Sequence, residues 1–401
     1  AYNKYRPDII GLSGLLVKSA EMMVVTAEDF RSAGLKVPVL VGGAALSPRF
    51  TAMKISPAYG DGNIVAYCKD AMQGLNATKE IISSPEKFAL KNREFQESII
   101  KAKEVEAQKE AKIISIERSP SIDIVEPRKA PDFVQHIIDS YDLNEIFDMI
   151  NPQMLFGTHL GLKGLYSRLI GNKDEKALEL TKKVDEVKEW IIKNKILHPK
   201  AIYKFFECNS KGNSILIYKN NNKNNEDNAK NNNEEKNEII ETLVFPRQAS
   251  GEKLCAADFV APKEKGKDTM GIFVTTCGYG VNQKAKELRE KGEYLKSHIL
   301  QVLAIESAEA LAELVHKKMR ELWGIIDANL TKQEIFQAKY QGIRLSYGYP
   351  ACPDLNEQQK IWKLLNPDQI GVNLTEGMMM EPEASVSALV FHHPQGKYFN
   401  A

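Results

Sequence analysis

Hydrophobic positions in the first eighty residues come as short apolar runs separated by amphipathic stretches. Ile9–Leu12, Val37–Val41 and Ile64–Ala66 read as strands, while Ser19–Ala33, Pro48–Ser56 and Lys69–Ile82 carry apolar residues at helical spacing. Strands alternating with helices of this length predict a parallel sheet with helical crossovers, a fold that takes ligands at the carboxyl ends of its strands. The pattern then changes. From Pro85 to about Glu117 the chain is rich in Lys, Glu and Ala, the composition of a solvated helix. Ser119-Pro120 and Glu126-Pro127-Arg128-Lys129-Ala130-Pro131 interrupt it, because proline denies a helix its hydrogen bonds.

Residues 131–401 mix both periods without strict alternation. Ile202–Cys208, Ser214–Lys219 and Ile239–Phe245 read as antiparallel strands, and Asn282–Trp323 as one long helical stretch. The expected organisation is an α/β unit over 1–84, a linker over 85–130 and an α+β domain over 131–401, an antiparallel sheet with surrounding helices. Residues 219–237, dominated by Asn, Lys and Glu, have almost nothing apolar to bury, so a disordered hairpin loop is expected there.

Length agrees with this division, since 401 residues exceed what one core usually serves. With 54 basic and 53 acidic residues, the net charge of +1 gives no field that would draw the chain to nucleic acid or an anionic membrane. Five cysteines, far apart and without a C-x-x-C pair, read as reduced thiols rather than a disulfide framework or zinc site. No long apolar run and no signal-peptide pattern occur, so a cytoplasmic protein is expected. The chain reaches its first strand within a few residues of Ala1-Tyr2-Asn3, which predicts an upstream portion.

Four segments carry candidate chemistry. Gly11-Leu12-Ser13-Gly14-Leu15 and Val41-Gly42-Gly43-Ala44 put small residues at successive strand ends, where a flat ligand can approach the backbone; tight strand-to-helix turns need the same glycines. Arg344, ahead of the Gly/Pro-punctuated Tyr347-Gly348-Tyr349-Pro350-Ala351-Cys352-Pro353, offers a planar cation to a carboxylate, though a surface ion pair would use the same residue type. In the third, Ala384-Ser385-Val386-Ser387 precedes His392-His393 and Tyr398-Phe399. Adjacent histidines on a strand point to opposite faces, which argues against a metal site. Glu145-Ile146-Phe147-Asp148-Met149-Ile150-Asn151 is the fourth.

Taken together these segments resemble the cobalamin-dependent methionine synthase family over nearly the whole chain outside the Asn-rich loop. Asp8-Ile9-Ile10-Gly11-Leu12-Ser13-Gly14-Leu15, Pro38 to Ala44 and Tyr67-Cys68-Lys69-Asp70-Ala71 are similar to its flavodoxin-like cobalamin-binding domain. Gly-Ile-Arg followed by Gly-Tyr-Pro-Ala-Cys-Pro (342–353), Leu374-Thr375-Glu376 and His393-Pro394 to Phe399 are similar to its S-adenosylmethionine-binding activation domain. Ala256–Lys263 and Ala308–Glu313 match family segments and read as structural support for the sheet and a packed helix.

The resemblance implies a set of site residues. Ser13 and Ala71 would touch the cobalamin lower ligand and nucleotide tail, with Gly42 and Gly43 beside them. Val17 stands where the family usually has threonine, which removes a hydrogen bond. Arg344 would bind the carboxylate of S-adenosylmethionine, Ser346 (usually alanine) and Tyr349 would border adenosine and corrin, and Tyr398 with Phe399 would hold the adenosyl group. Asn151, where aspartate is usual, would receive the ammonium without charge assistance. Leu355 replaces a histidine that often contacts the cofactor.

The resemblance also implies the chemistry. In this family cobalamin passes a methyl group from methyltetrahydrofolate to homocysteine, and the activation domain restores oxidised cobalamin to methylcobalamin using S-adenosylmethionine and one electron. A flavodoxin-type or reductase donor, and upstream modules of the same polypeptide holding zinc, folate and the axial histidine, are the implied partners of a monomer. None of the seven histidines here has the Asp-x-His-x-x-Gly context of that axial ligand, so weak or no cobalamin binding by this chain alone is expected. The competing reading is a non-catalytic S-adenosylmethionine-sensing or partner-docking module. A plain flavodoxin-like nucleotide binder has less support, because no Gly-x-Gly-x-x-Gly or P-loop occurs.

Overall fold

The structure, a computed structural model, describes residues 2–14, 17–43, 46–111, 117–219, 238–327, 330–375 and 378–401, without the side chains of Asn3, Val17, Lys18, Glu21 and residues 102–111. The Asn-rich loop, apart from Lys219, lies outside the described residues, as do Leu15, Ala44 and Glu376 of the motifs above. Among the described residues no helix is long and apolar enough to cross a membrane. The chain divides into two units, 1–114 and 115–401.

In the first unit β1 (Ile10–Ser13), β2 (Val39–Gly42) and β3 (Val65–Cys68) form a parallel sheet in that order. Helix α1 (Val17–Ser32) connects β1 to β2, and a helical segment from Pro48 to Tyr59, with a π-turn over Thr51–Ile55, connects β2 to β3. Helix α2 (Ala71–Ser83) follows, its first turn capped by Asp70, whose carboxylate accepts from Gln73 N at 2.8 Å. Val39, Val41 and Val65 of the sheet pack with Ala20, Met23 and Ala27 of α1 and with the buried Ile55 and Tyr59. The elements lie where hydrophobic period places them, with ends displaced by a few residues.

The expected linker is not a spacer. Helix α3 (Pro85–Ala111) belongs to the first unit: Asn92 and Gln96, one turn apart on the same face, both donate to the Val65 carbonyl, at 2.9 and 2.7 Å. Residues 117–130 belong to the second. Arg118 Nη1 donates to Val260 O at 2.9 Å, Ile122 is buried in the core, and Arg128 exchanges bonds with Asp268 and Thr269. Proline favours extended backbone, which lays down a segment whose few anchoring side chains suffice.

The second unit is built on an antiparallel sheet of seven strands among the described residues. Its strands are β4 (His136–Ile138), β5 (Lys200–Lys211), β6 (Ser214–Tyr218), β7 (Ile239–Val244), β8 (Asp268–Thr276), β9 (Ile343–Leu345) and β10 (Ser385–Phe391). The order is β7-β6-β5-β8-β10-β9, with β4 on the free half of β5's edge. Both faces are covered, so β8 and β10 are buried at every position and read as continuous apolar runs rather than as an alternation. Side chains still alternate. Phe273, Val386, Ala388 and Val390 face one core, while Ile272, Val274, Leu389 and Phe391 face the other.

The stretch expected as one long helix is two. Helix α4 (Val281–Glu290) ends at a turn containing Gly292, whose φ of 80° suits glycine, and α5 (Tyr294–Leu322) restarts from it. Helix α5 packs across β8 and β10 and forms much of the first core. A shorter helix, α6 (Gln358–Leu365), packs on the opposite core through Ile361 and Leu365.

Candidate functional site

Strand β9 pairs only its three residues with the end of β10, in the register Arg344↔Val390. Ile343 and Leu345 are buried in the core on the α6 side, so alternation turns Arg344 to the α5 side. There it meets a stripe of polar residues on α5. Glu309, Glu313, His316 and Arg320 recur at helical spacing, which stacks them along one face. Arg344 Nη1 is paired with Glu313 Oε2, and lies 3.3 Å from Tyr340 OH and 3.4 Å from His316 Nδ1.

After Arg344 the chain turns sharply. Gly348 adopts φ 87°, which favours glycine, and Cys352 N donates to Tyr349 O at 2.9 Å across Pro350-Ala351, a turn with proline at its second position. Cys352 Sγ donates back to Ser346 O at 2.9 Å, and burial pushes its thiol up to about 12. The C-terminal tail lies against this turn: Ala401 N donates to Pro350 O at 3.2 Å, and Gln248 Nε2 donates to Asn400 O at 2.7 Å. Between turn, tail and sheet opens a cavity of about 590 Å³.

Arg344, Ser346, Tyr349, Tyr398 and Phe399 all line it. These residues were expected from two stretches far apart in sequence, and the sheet edge brings them to one place. Glu309, Gln358, Met380, Ser385 and Ser387 complete much of the wall. Glu309 is the acidic residue the sequence reading passed over, since Ala308–Glu313 reads as a packed helix. The available signal was the polar stripe itself, four ionisable residues recurring at helical spacing among buried apolar positions.

Electrostatically the site is a cation held among carboxylates. Burial would lower the pKa of Arg344, but Glu313, Tyr340, Tyr398 and Glu309 together raise it, so the guanidinium stays charged. Glu309 is open to the cavity yet surrounded by protein; that burial, with Glu306 and Glu313 nearby, raises its pKa against the pull of Arg344. His316 is fully buried, and burial together with Arg344 and Arg320 depresses its pKa well below the usual range. It is therefore neutral, and because Arg344 can only donate, Nδ1 is the acceptor and Nε2 carries the proton.

A pH dependence follows from His316. Its folded pKa lies below the unfolded value, so below about pH 6.5 the unfolded chain binds a proton that the folded chain refuses. Stability is lost as pH falls, by at most about 1.4 kcal/mol per pH unit from this group. The urea midpoint of His316→Asn is expected to fall less than that of wild type between about pH 7.5 and about pH 5.5. Parallel pH profiles for the two proteins would contradict the assignment of a neutral histidine.

Asn151 is not part of this cavity. Its side-chain oxygen accepts from Gln153 N at 3.0 Å and Met154 N at 3.4 Å, capping the π-helical turn Gln153–His159 that begins after Pro152. A short amide just before a helix is drawn to the unsatisfied N–H groups there, which accounts for its position. Leu355 packs on the second core. His392 Nε2 meets Asp268 Oδ1 at 2.7 Å and His393 Nε2 meets Asp123 O at 3.0 Å, so the adjacent histidines serve different partners.

In the first unit the parallel register sets Ser13 beside Gly42 and Gly42 beside Cys68. Ser13 is exposed at one strand end, and Ala71 is exposed at the start of α2 just beyond another. Val17 opens α1. A Cβ on Gly42 would come within 2.7 Å of Cys68 O, and one on Gly43 (φ 116°) within 2.1 Å of Gly14 O. These two glycines are therefore required by their own backbone neighbours.

The chain is 28% identical to methionine synthase of Mycobacterium tuberculosis over 426 residues, covering 98% of this chain and 34% of that protein. It is likewise 28% identical to methionine synthase of Mycobacterium leprae over 432 residues, with the same coverage. It thus spans about a third of the length of these relatives. A crystal structure of the MetH reactivation domain bound to AdoHcy is similar at a TM-score of 0.62 and 29% identity, covering 69% of this chain and 83% of that one. Residues 142–401, which hold the whole cavity, match the family model described as vitamin B12 dependent methionine synthase, activation domain, and the chain belongs to that family.

Proposed function

We propose that this chain binds S-adenosylmethionine in the cavity beside β9 and presents it for the reductive methylation of cobalamin. The observation that carries this is the meeting, in one cavity, of a half-buried, paired cation and an aromatic tail. Arg344 takes the ligand's carboxylate, Glu309 faces its positive charge, and Tyr349, Tyr398 and Phe399 offer rings to the adenosine. Asn151 is less suited to the ammonium role, because its amide oxygen already accepts two backbone N–H groups. The AdoHcy named with the similar reactivation-domain structure is the product of methyl transfer from this ligand.

The chemistry asks little of the protein beyond placement. A sulfonium already makes its methyl group electrophilic, so no general base is needed, and the residues act by holding the ligand at high effective concentration. Cobalamin, when bound, supplies the cobalt that accepts the methyl group. In the first unit, the exposed Ser13 and Ala71 fit contact with its nucleotide tail. Gly42 and Gly43 are accounted for by backbone packing and add little to that fit.

Over the full length of such a protein, the corresponding activity is methyl transfer from methyltetrahydrofolate to homocysteine. A flavodoxin-type or reductase protein would supply the electron, and further modules of the polypeptide would supply zinc, folate and the axial histidine.

The test is a calorimetric titration with S-adenosylhomocysteine, followed by crystals soaked in it. One ligand per chain, with density between Arg344 and Tyr398, is the expected result. An empty cavity at saturating ligand, or the nucleoside lodged elsewhere, would overturn the reading.

A further inference from the structure

Behind Arg344 lies a cluster that the proposed function does not use. Glu313 is one helical turn beyond Glu309, away from the cavity lining, and its side chain is only 10% exposed. Its Oε2 pairs with Arg344 Nη1 and accepts from Tyr340 OH at 3.3 Å, and its Oε1 lies 3.8 Å from Arg320 Nη1. Arg320 has a carboxylate of its own in Asp327 and stacks on the Tyr340 ring with 3.8 Å from Cζ to the centroid. His316 is buried against the same ring, edge-on at 5.2 Å.

Three side chains, Glu313, Tyr340 and His316, therefore converge on one nitrogen of Arg344. Two of them are neutral; Glu313 alone opposes the charge. A guanidinium is planar, so fixing one amino group fixes the direction of the whole fork. Two guanidiniums, from Arg320 and Arg344, flank this carboxylate; Arg320 would keep Asp327, but Arg344 would lose the one carboxylate paired with it in a largely buried setting.

We propose that Glu313 is the positioning residue for Arg344: by anchoring Nη1 on the α5 side it aims the rest of the fork into the cavity, where it receives the ligand's carboxylate. Glu313 does not touch the ligand and acts only through Arg344. The inference rests on the proposed binding of S-adenosylmethionine at this site and adds what orients its recognition.

The test is a double-mutant cycle on the full chain, read by calorimetric titration with S-adenosylhomocysteine. Glu313→Gln is expected to weaken binding by about 10-fold or more, the size of a charge-assisted hydrogen bond. In an Arg344→Ala background the same change is expected to shift affinity by less than about twofold, because the group it positions is gone. A merely structural role would weaken both backgrounds equally. That result, or unchanged affinity in Glu313→Gln, overturns the proposal.

Should Glu313→Gln fail to fold, Tyr340→Phe removes the hydroxyl bridging Glu313 and Arg344, and is expected to show the same background-dependent loss at about threefold. Additive loss in that cycle overturns the proposal as well. Failure of the wild-type chain to bind S-adenosylhomocysteine is a different result: it removes the functional reading itself and this inference with it.

Discussion

Replacing Arg344 by alanine is expected to weaken binding of S-adenosylmethionine by about 2 to 4 kcal/mol, roughly 30- to 1000-fold in affinity. The magnitude is that of removing one partner from a largely desolvated charge pair. Arg344 is held charged by Glu313 and its neighbours, and the ligand's carboxylate would meet the remaining donors of a fork that cannot rotate away. Arg344→Lys is expected to fall between, because an ammonium keeps the charge but lacks the planar fork. Titration of S-adenosylhomocysteine against the three proteins measures this, with thermal melts to separate affinity from folding. Equal affinity in wild type and Arg344→Ala would remove the arginine from the site.

The second large effect concerns the scaffold. Asp258 and Arg247 form a two-pronged pair, Nη1 to Oδ2 at 2.7 Å and Nη2 to Oδ1 at 2.9 Å, with side chains 1% and 2% exposed. Asp258 Oδ2 also accepts from Cys255 N at 2.9 Å, while Arg247 donates to Lys253 O and Asn213 Oδ1, each at 2.7 Å. Asp258→Ala would leave a buried guanidinium without its counter-charge and is expected to cost about 3 to 5 kcal/mol. Exchanging both residues for apolar ones of similar size is expected to cost less than the single change, since no charge is then stranded. Urea unfolding of the single and double variants decides it. A single-variant loss below about 1 kcal/mol would show that water reaches the arginine.

Much of the fold was legible because hydrophobic period is a local property. The parallel strands of the first unit and the hairpin strands of the second stand close to their expected places. The errors have local causes too. Gly292 splits the long helix through a backbone angle that apolar spacing does not reveal. Residues 85–130 looked like a linker because they are polar and proline-rich, yet Asn92, Gln96, Arg118 and Ile122 each find a partner far away in sequence. Composition measures how much a segment can bury; where its few anchors land depends on what lies opposite.

The site divides along the same line. Residues 342–353 are contiguous, and their glycines and prolines favour a turn, so the family resemblance carried by this one string was enough to name Arg344, Ser346 and Tyr349. That Tyr398 and Phe399 share their cavity was decided by the tail folding back on Pro350, a contact no local pattern encodes. Asn151 was drawn instead to the nearest unsatisfied N–H groups. The sequence by itself determined the alternating elements of the first unit, three strands of the second, and which cation stands before the turn. Only the tertiary structure decided that Glu309 opens to the cavity while Glu313 anchors the arginine, because helical spacing sets residues on one face and packing alone sets what that face meets.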